Sequence, residues 1–273
     1  MYDFYFGERE EVEKDPERFL LSIKRMLPRW CNSIPDSEFI ALHRVLEKAE
    51  LPEGATLVET GCGASTIILF FHALKKKGVL YTWDTNGSKL SFLRGLINDT
   101  ILKVYEDQST SKVWKSISYI STSKDAGIPI IGELGKRVDG CFLDSEHTWD
   151  NLGAEVQCLL PLLADRALVA IDDGNYDYRS TNVAFLNMVR KKLGLPPIAD
   201  PEGNKTEPYF VEVEKVLSKT FSKVTHVDDD YKKTYQDDIY WAWYKADKEK
   251  AKELKMEKTD HLEHRFDAWV IER

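Results

Sequence analysis

The sequence predicts an α/β protein in which a mostly parallel sheet is covered by helices on both faces. Two observations support this. From Ala55 onward, short apolar runs of strand length alternate with longer runs of helical period. Acidic residues or glycines follow most of the strand-like runs. Such alternation is typical of parallel strands joined by crossover helices, and ligands bind such sheets beyond the carboxyl ends of the strands.

The apolar pattern predicts five parallel strands and a terminal pair. Helices are expected at 67–77, at 88–97 and across 152–163, between strands at 56–59, 79–83, 117–120, 138–143 and 167–171. Two later β-like runs, 221–227 and 239–244, are expected to form a C-terminal antiparallel hairpin.

Domain boundaries follow from the change in pattern along the chain. Residues 1–50 read as an N-terminal helical cap, because apolar residues recur at helical spacing before Pro28. Residues 51–244 form the main domain, in which 175–220 is a substrate-side insertion. Residues 245–273 read as a charged C-terminal helical extension.

Composition narrows the function classes. The 273 residues carry 46 acidic and 38 basic side chains, a formal net charge of −8, which disfavours a nucleic-acid partner. The four cysteines form no CxxC pair, and the longest apolar run, 67–71, is too short to cross a membrane. The start of the chain lacks the pattern of a signal peptide, so we expect a cytoplasmic protein without a membrane partner. Aromatic clusters near both ends are typical of core or interface, which leaves a homo-oligomer open.

The run 58–65, Val-Glu-Thr-Gly-Cys-Gly-Ala-Ser, is the strongest ligand signal. Gly61 and Gly63 follow the first strand, where they allow close approach of the backbone to a ligand, and a helix begins next. Glu59 precedes the first glycine by two positions, and Asp84 ends the second strand. A carboxylate at that position can accept hydrogen bonds from both ribose hydroxyls of an adenosine.

A second constellation follows the fourth and fifth strands. Asp144 and His147 follow one strand, and Asp172 and Asp173 end the next. Three carboxylates at neighbouring strand ends repel one another unless a cation lies among them. Oxygen ligands favour magnesium, with manganese or calcium as alternatives.

The glycine run resembles the first motif of class I S-adenosylmethionine-dependent methyltransferases, acidic-x-Gly-x-Gly, which implies a Rossmann-like fold and that cofactor. Ser65 stands where many members have a third glycine. By this resemblance Asp84 binds the ribose and Ser123 flanks the adenine. Asp144 is also assigned to the cofactor, which it would orient if no metal binds there. The methionine half is surrounded by Glu59, Gly61, Cys62, Gly63 and Ser65.

The acidic constellation resembles the metal-dependent small-molecule and sugar O-methyltransferases, in the group beside the cephalosporin-hydroxylase-like proteins. That resemblance implies Asp144, Asp172 and Asp173 as metal ligands, and His147 and Asp144 as catalytic residues, with His147 the general base. Ser145-Glu146 replaces the Gly-Asp typical of that group.

We therefore predict an O-methyltransferase that acts on a hydroxyl of a sugar-like or natural-product-like small molecule, assisted by a divalent metal. Three alternatives stay open. A metal-independent N- or carboxyl-methyltransferase would leave Asp172 and Asp173 structural. A nicotinamide-dependent oxidoreductase shares the glycine turn, although it usually has a third glycine. A non-catalytic binding protein with the methyltransferase fold is the third.

Overall fold

The computed structural model describes residues 8–105, 110–118, 128–177, 180–192, 194–199, 207–227 and 265–273. Within these ranges, none of the helices combines the length and the apolar character that a membrane crossing requires. The predicted run 239–244 and the position of Ser123 lie outside them.

A seven-stranded sheet forms the centre of the protein. The strands are β1 (Thr56–Thr60), β2 (Val79–Asp84), β3 (Trp114–Ser118), β4 (Val138–Leu143), β5 (Leu163–Asp172), β6 (Lys223–His226) and β7 (Phe266–Glu272). Their spatial order is β3-β2-β1-β4-β5-β7-β6, and β1 to β5 pair in parallel. The predicted α/β class with a mostly parallel sheet is confirmed.

The antiparallel C-terminal pair is also confirmed, but its second strand differs from the prediction. β7 pairs antiparallel with β6 on one side and with β5 on the other. Residues 266–272 are therefore a strand, and the helical extension predicted for 245–273 is wrong at this end. Residues 245–264 are highly charged, and the short run Phe-Asp-Ala-Trp-Val-Ile that follows them was therefore assigned to the same helix. That run has the β-propensity of a strand.

Eleven helices occur in the described part of the chain. They are α1 (Arg9–Lys14), α2 (Pro16–Lys24), α3 (Asp36–Lys48), α4 (Ala64–Lys75), α5 (Gly87–Asp99), α6 (Ile101–Tyr105), α7 (Thr110–Val113), α8 (Ile128–Glu133), α9 (Trp149–Leu159), α10 (Ser180–Lys192) and α11 (Tyr209–Thr220). A 3₁₀ turn, Arg29–Cys31, precedes α3. Several boundaries differ from expectation: β3 begins at Trp114 rather than residue 117, β5 begins at Leu163 rather than residue 167, and α4 covers 64–75 rather than 67–77. The helix α11, near the end of the predicted substrate-side insertion, was not predicted.

Two hydrophobic layers sandwich the sheet. Successive strand residues point to opposite faces, so Leu57 and Leu168 belong to one layer and Val58 and Val169 to the other. The first layer contains apolar residues of α2, α3, α4 and α5, and the second those of α9 and α11. Both faces are covered, as the sequence predicts.

The N-terminal helices are part of this core. Phe39 and Ile40 of α3 are fully buried in the first layer, and Arg44 of α3 makes two hydrogen bonds to Glu17 of α2, at 2.7 and 3.0 Å. The helical reading of the first fifty residues agrees with this arrangement. Their role as a cap over the ligand site stays a prediction.

Candidate functional site

The predicted ligand-binding residues that the structure describes meet at one edge of the sheet. β1 lies between β2 and β4, so the chain order reverses on either side of it. In parallel α/β sheets, ligands bind at such a reversal, beyond the carboxyl ends of the strands. The glycine loop follows β1, and Asp84, Asp144 and Asp172 lie at the ends of β2, β4 and β5.

Gly61 is the position where the glycine loop touches β4. Its φ is +79°, and a Cβ placed there would lie 1.8 Å from the backbone oxygen of Asp144. The Gly61 N–H donates to the oxygen of Trp83 at 2.8 Å, while the Asp144 N–H donates to the oxygen of Thr60 at 2.9 Å. Only glycine permits this approach, which brings the ends of β1, β2 and β4 together.

Gly63 is the N-cap of helix α4, which begins at Ala64, three residues before the predicted start at residue 67. The Gly63 N–H donates to Thr66 Oγ1 at 3.0 Å. Ser65, at the place of a third glycine, is buried and donates through its hydroxyl to Glu59 at 2.6 Å. The serine therefore fills space behind the loop and satisfies a buried carboxylate.

Glu59 lies behind the loop. It is fully buried, and its two oxygens accept hydrogen bonds from the hydroxyls of Ser65, Thr66 and Thr82, at 2.6 to 2.9 Å. Burial raises the pKa of Glu59 to about 7, although these three hydrogen bonds lower it. The arrangement makes Glu59 a residue that positions the loop.

Asp84 faces the same loop from the end of β2. Its Oδ2 accepts the Cys62 N–H at 2.8 Å, and its Oδ1 accepts the Asn86 N–H at 2.6 Å. Lys89 Nζ lies 3.6 Å from Oδ2. A carboxylate offers about four acceptor positions, so Asp84 has capacity for further donors such as a pair of ribose hydroxyls. Cys62 is buried and contributes its backbone to this contact.

Asp144, His147 and Asp172 form the second part of the site. Each offers a ligand atom, and these atoms lie within 4.8 Å of one another. His147 Nε2 lies 3.8 Å from Asp144 Oδ1. Asp172 Oδ1 is buried without a hydrogen-bond partner in the structure. A buried carboxylate oxygen in that state fits a cation ligand.

Asp173, the third predicted metal ligand, has other partners. Its Oδ2 lies 3.0 Å from His147 Nδ1, and its Oδ1 lies 3.5 Å from Arg265 Nε. Its φ of +50° is uncommon for a residue other than glycine. This geometry orients His147, with Nδ1 toward Asp173 and Nε2 toward Asp144.

Sequence reasoning missed Arg265 and Glu38. Arg265, immediately before β7, places its Nε 2.9 Å from Glu38 Oε1 of α3 and 3.9 Å from Asp172 Oδ1. Glu38 is 3% exposed. The two residues are far apart in the sequence, and no local pattern links them. The carboxylates of Glu38, Asp144, Asp172 and Asp173 thus lie around Arg265 and His147, and Lys24 and Lys89 also act on this cluster.

The electrostatics of the cluster follow from burial and from these neighbouring charges. Burial, then repulsion by Asp172, raises the pKa of Asp144 well above its ordinary value. Burial and Asp173 raise the pKa of Asp172 to about 6. Burial alone would lower the pKa of His147, but its carboxylate neighbours, Asp173 above all, outweigh burial and raise it to about 10. These shifts favour the protonated carboxyl at Asp144 and Asp172 and the protonated imidazole at His147.

Aromatic rings line the cluster on one side. The ring of Tyr176 stacks on His147 at 5.8 Å between centroids, and on Tyr209 at 6.5 Å. The Tyr209 N–H donates to the oxygen of Tyr176 at 2.8 Å, which ties the start of α11 to this loop. Sequence reasoning missed Tyr176 as well, although it follows Asp173 by three residues.

Ser145 and Glu146, the two departures from the resembled motif, have structural partners. Ser145 Oγ donates to Glu155 of α9 at 2.7 Å. Glu146 pairs with Arg190 of α10. These contacts join the loop after β4 to two helices and so support the positions of Asp144 and His147.

Comparisons with known proteins give structural similarity alone. No family model and no curated protein sequence matches the chain. An O-methyltransferase from Bacillus cereus, solved in complex with S-adenosylhomocysteine (SAH), is 10% identical with a TM-score of 0.51, over 97% of this chain and 96% of that one. An SAH-bound methyltransferase from Podospora anserina is 12% identical with a TM-score of 0.45, over 94% of this chain and 87% of that one. Because the sequence identity is only 10%, the likeness to the Bacillus cereus protein concerns the fold alone. This chain has the Rossmann-like fold of that S-adenosylmethionine-dependent methyltransferase.

Proposed function

We propose that the protein is an S-adenosylmethionine-dependent methyltransferase that methylates a hydroxyl of a small molecule, with a divalent cation bound at the acidic cluster. The observation that carries the donor assignment is the placement of Asp84. Its carboxylate is held against the glycine loop by the Cys62 N–H and retains acceptor capacity. The Bacillus cereus protein with the same fold binds SAH, the demethylated form of that donor.

The sheet supports this proposal over a nicotinamide-dependent oxidoreductase. The common dinucleotide-binding order, 3-2-1-4-5-6, is mostly parallel, whereas here the antiparallel β7 lies next to β5. The third glycine of the dinucleotide motif is replaced by Ser65, whose hydroxyl is committed to Glu59. Both features differ from the dinucleotide-binding pattern.

The acidic cluster supports the proposed metal. Asp144 and Asp172 would hold it, because Asp172 Oδ1 is buried without a hydrogen bond and the two side chains lie together with His147. A bound divalent ion would bind the acceptor hydroxyl and lower its pKa. Magnesium suits the oxygen ligands best, with manganese and calcium as alternatives.

His147 would take the hydroxyl proton through Nε2, while Asp173 holds the ring through Nδ1. The imidazole accepts a proton only when it is neutral. In the absence of a metal ion, the neighbouring carboxylates favour its protonated form. Positive charge bound among those carboxylates would favour the neutral ring. Tyr176, stacked on His147, would limit the freedom of the ring and keep water from that face.

Metal-independent transfer is the second candidate, and Arg265 favours it. Its guanidinium lies within 4 Å of Asp172 and Asp173, so part of the charge that a metal would balance is already balanced. In that case Asp172 and Asp173 would be structural and Asp144 would orient the donor.

Calorimetry with SAH and with NAD tests the donor assignment. SAH should bind with micromolar affinity, and NAD should show no heat of binding. Tight NAD binding, together with no heat of binding in the SAH titration, would refute the methyltransferase proposal.

A magnesium titration of wild type, Asp172→Asn and the exposed control Asp150→Asn tests the metal. We expect one ion per chain in wild type and in the control, and loss of that ion in Asp172→Asn without unfolding. If a chelator leaves methyl transfer unchanged, the metal-independent candidate is correct.

A further inference from the structure

A second cluster of metal-ligating side chains lies between helices α3 and α4, away from the acidic cluster. His43 and Glu47 lie one turn apart on α3, and His72 lies on α4. Their ligand atoms lie within 4.8 Å of one another. His43 Nδ1 is 2.9 Å from His72 Nε2, and His72 Nδ1 is 3.7 Å from Glu47 Oε1.

Two of the three residues are buried, and the third is half exposed. His43 is 3% and His72 is 1% exposed, whereas the side chain of Glu47 is 51% exposed. Burial lowers the pKa of both histidines, which favours the neutral imidazole that a metal requires. Glu47 is thus the residue of the three that faces solvent.

We propose that His43, Glu47 and His72 bind a zinc-class transition-metal ion that clamps α3 onto α4. Two imidazole nitrogens and one carboxylate oxygen form a ligand set typical of zinc, with a solvent molecule as fourth ligand. This set differs from the acidic cluster, where oxygens dominate and magnesium is favoured. The two sites therefore select different metals.

Ion binding requires the His72 ring to turn, because its Nε2 faces His43 whereas its Nδ1 faces Glu47, and a single nitrogen must bind the ion. Ligand atoms on a tetrahedral zinc lie roughly 3.3 Å apart, given metal–ligand bonds of about 2.0–2.1 Å. The 2.9 Å contact between His43 and His72 is therefore a hydrogen bond that the ion would replace. Lys75 Nζ, 3.5 Å from Glu47 Oε1, would give up its contact with that carboxylate.

The charged surroundings are mixed. Glu17 and Glu47 favour positive charge at His43, whereas Arg44 and Lys75 oppose it. Lys75 and Lys76 oppose it at His72. These charges therefore partly offset one another, and the imidazole nitrogens and the Glu47 carboxylate carry the binding.

The clamp would act on the glycine loop at a distance. Gly63 of the glycine loop caps the N-terminus of α4, and α3 carries Glu38, the partner of Arg265. Fixing the contact between the two helices would hold both ends of the proposed methyl-transfer site.

Cobalt(II) titration of the full-length protein in excess magnesium tests the proposal, because magnesium occupies the oxygen ligands and leaves the histidines available. Wild type should develop the visible absorption of four-coordinate cobalt with one ion per chain, and zinc should displace it. Glu47→Gln and His72→Asn should weaken binding by more than the ~10–100-fold typical of losing a second-shell partner.

Glu13→Gln is the matched control, since Glu13 is also about half exposed, at 45%, and is paired with an arginine on its own helix. It should bind cobalt as wild type does. Glu47 is accessible to solvent, so its isosteric variant should fold even if His72→Asn does not. Equal cobalt binding by wild type and Glu47→Gln, or no cobalt spectrum in wild type, would overturn the proposal and leave a hydrogen-bonded histidine pair.

Discussion

The Cys62 N–H donates to Asp84 Oδ2 at 2.8 Å, which joins the centre of the glycine loop to the end of β2. The loop and the carboxylate are thus positioned by each other before any ligand binds. Preorganisation of this kind reduces the entropic cost of binding. It also means that a substitution at Asp84 acts on the loop as well as on a ligand.

Asp84→Asn should weaken SAH binding roughly tenfold or more. The amide replaces one acceptor with a donor, so either the Cys62 N–H or a ribose hydroxyl loses its partner, at about 1–3 kcal/mol. Calorimetry measures the effect. Asp99→Asn is the control, since Asp99 lies at the end of α5, the helix that follows β2, and its side chain is 75% exposed. An unchanged SAH affinity in Asp84→Asn would argue against ribose binding there.

Gly61→Ala should destabilise the protein more than Gly54→Ala does. Both glycines have φ +79°, so both variants carry the backbone strain of about 1–2 kcal/mol. A Cβ at Gly54 meets nothing within 4 Å, whereas at Gly61 it meets the backbone of Asp144. Overpacking there should add about 1–3 kcal/mol in urea unfolding. Equal losses would mean that the ends of β1 and β4 separate easily.

His147→Asn should lower turnover by about 10²–10⁴-fold, the usual effect of removing a general base. SAH affinity should remain unchanged, because the donor residues lie on β1 and β2. Asp173→Asn should lower turnover in the same assay, since an amide no longer fixes the orientation of the His147 ring through Nδ1. Acceptor screening with sugars and hydroxylated aromatics supplies the assay. Full turnover in His147→Asn would assign the histidine a structural role.

Glu59 should make stability depend on pH. The folded state raises the pKa of Glu59 from 4.5 to about 7, so between these values it holds a proton that the unfolded chain releases. The stability from this group is complete below about pH 4.5 and is lost as the pH rises through about 7. Relative to Glu59→Gln, wild type should lose about 3 kcal/mol of unfolding free energy over that range.

Denaturant unfolding at several pH values measures this difference, with the exposed Glu133→Gln as control for the change in formal charge. Wild type and Glu59→Gln with parallel pH profiles would show that Glu59 stays ionised in the folded protein.

The local sequence predicted those parts of the site that consist of consecutive residues. β4 was predicted at its exact bounds, and the ends of β1 and β2 within one residue, because buried parallel strands are continuous apolar runs bounded by turns. Asp84, Asp144 and Asp172 follow from those ends. Their meeting at one edge follows from the topology of parallel strands.

The remaining features depend on contacts between distant residues. Arg265 reaches Glu38 and Asp173 only because β7 enters the sheet beside β5, and no periodicity near Arg265 indicates that register. For the same reason, no local pattern in the sequence indicates that Asp173 contacts His147 and Arg265. α11 was missed because the preceding Pro- and Gly-rich residues suggested a loop through to 208.

The position of β7 has a consequence for synthesis of the chain. β5 ends at Asp172, and its partner β7 begins about ninety residues later. At roughly 5–20 residues per second on the ribosome, the outer edge of β5 waits several seconds for its native neighbour. During that interval β1 to β5 present an unpaired backbone edge, the kind of edge at which strands from other molecules associate. Nascent chains of this protein are therefore expected to need protection by chaperones until β7 has left the ribosome.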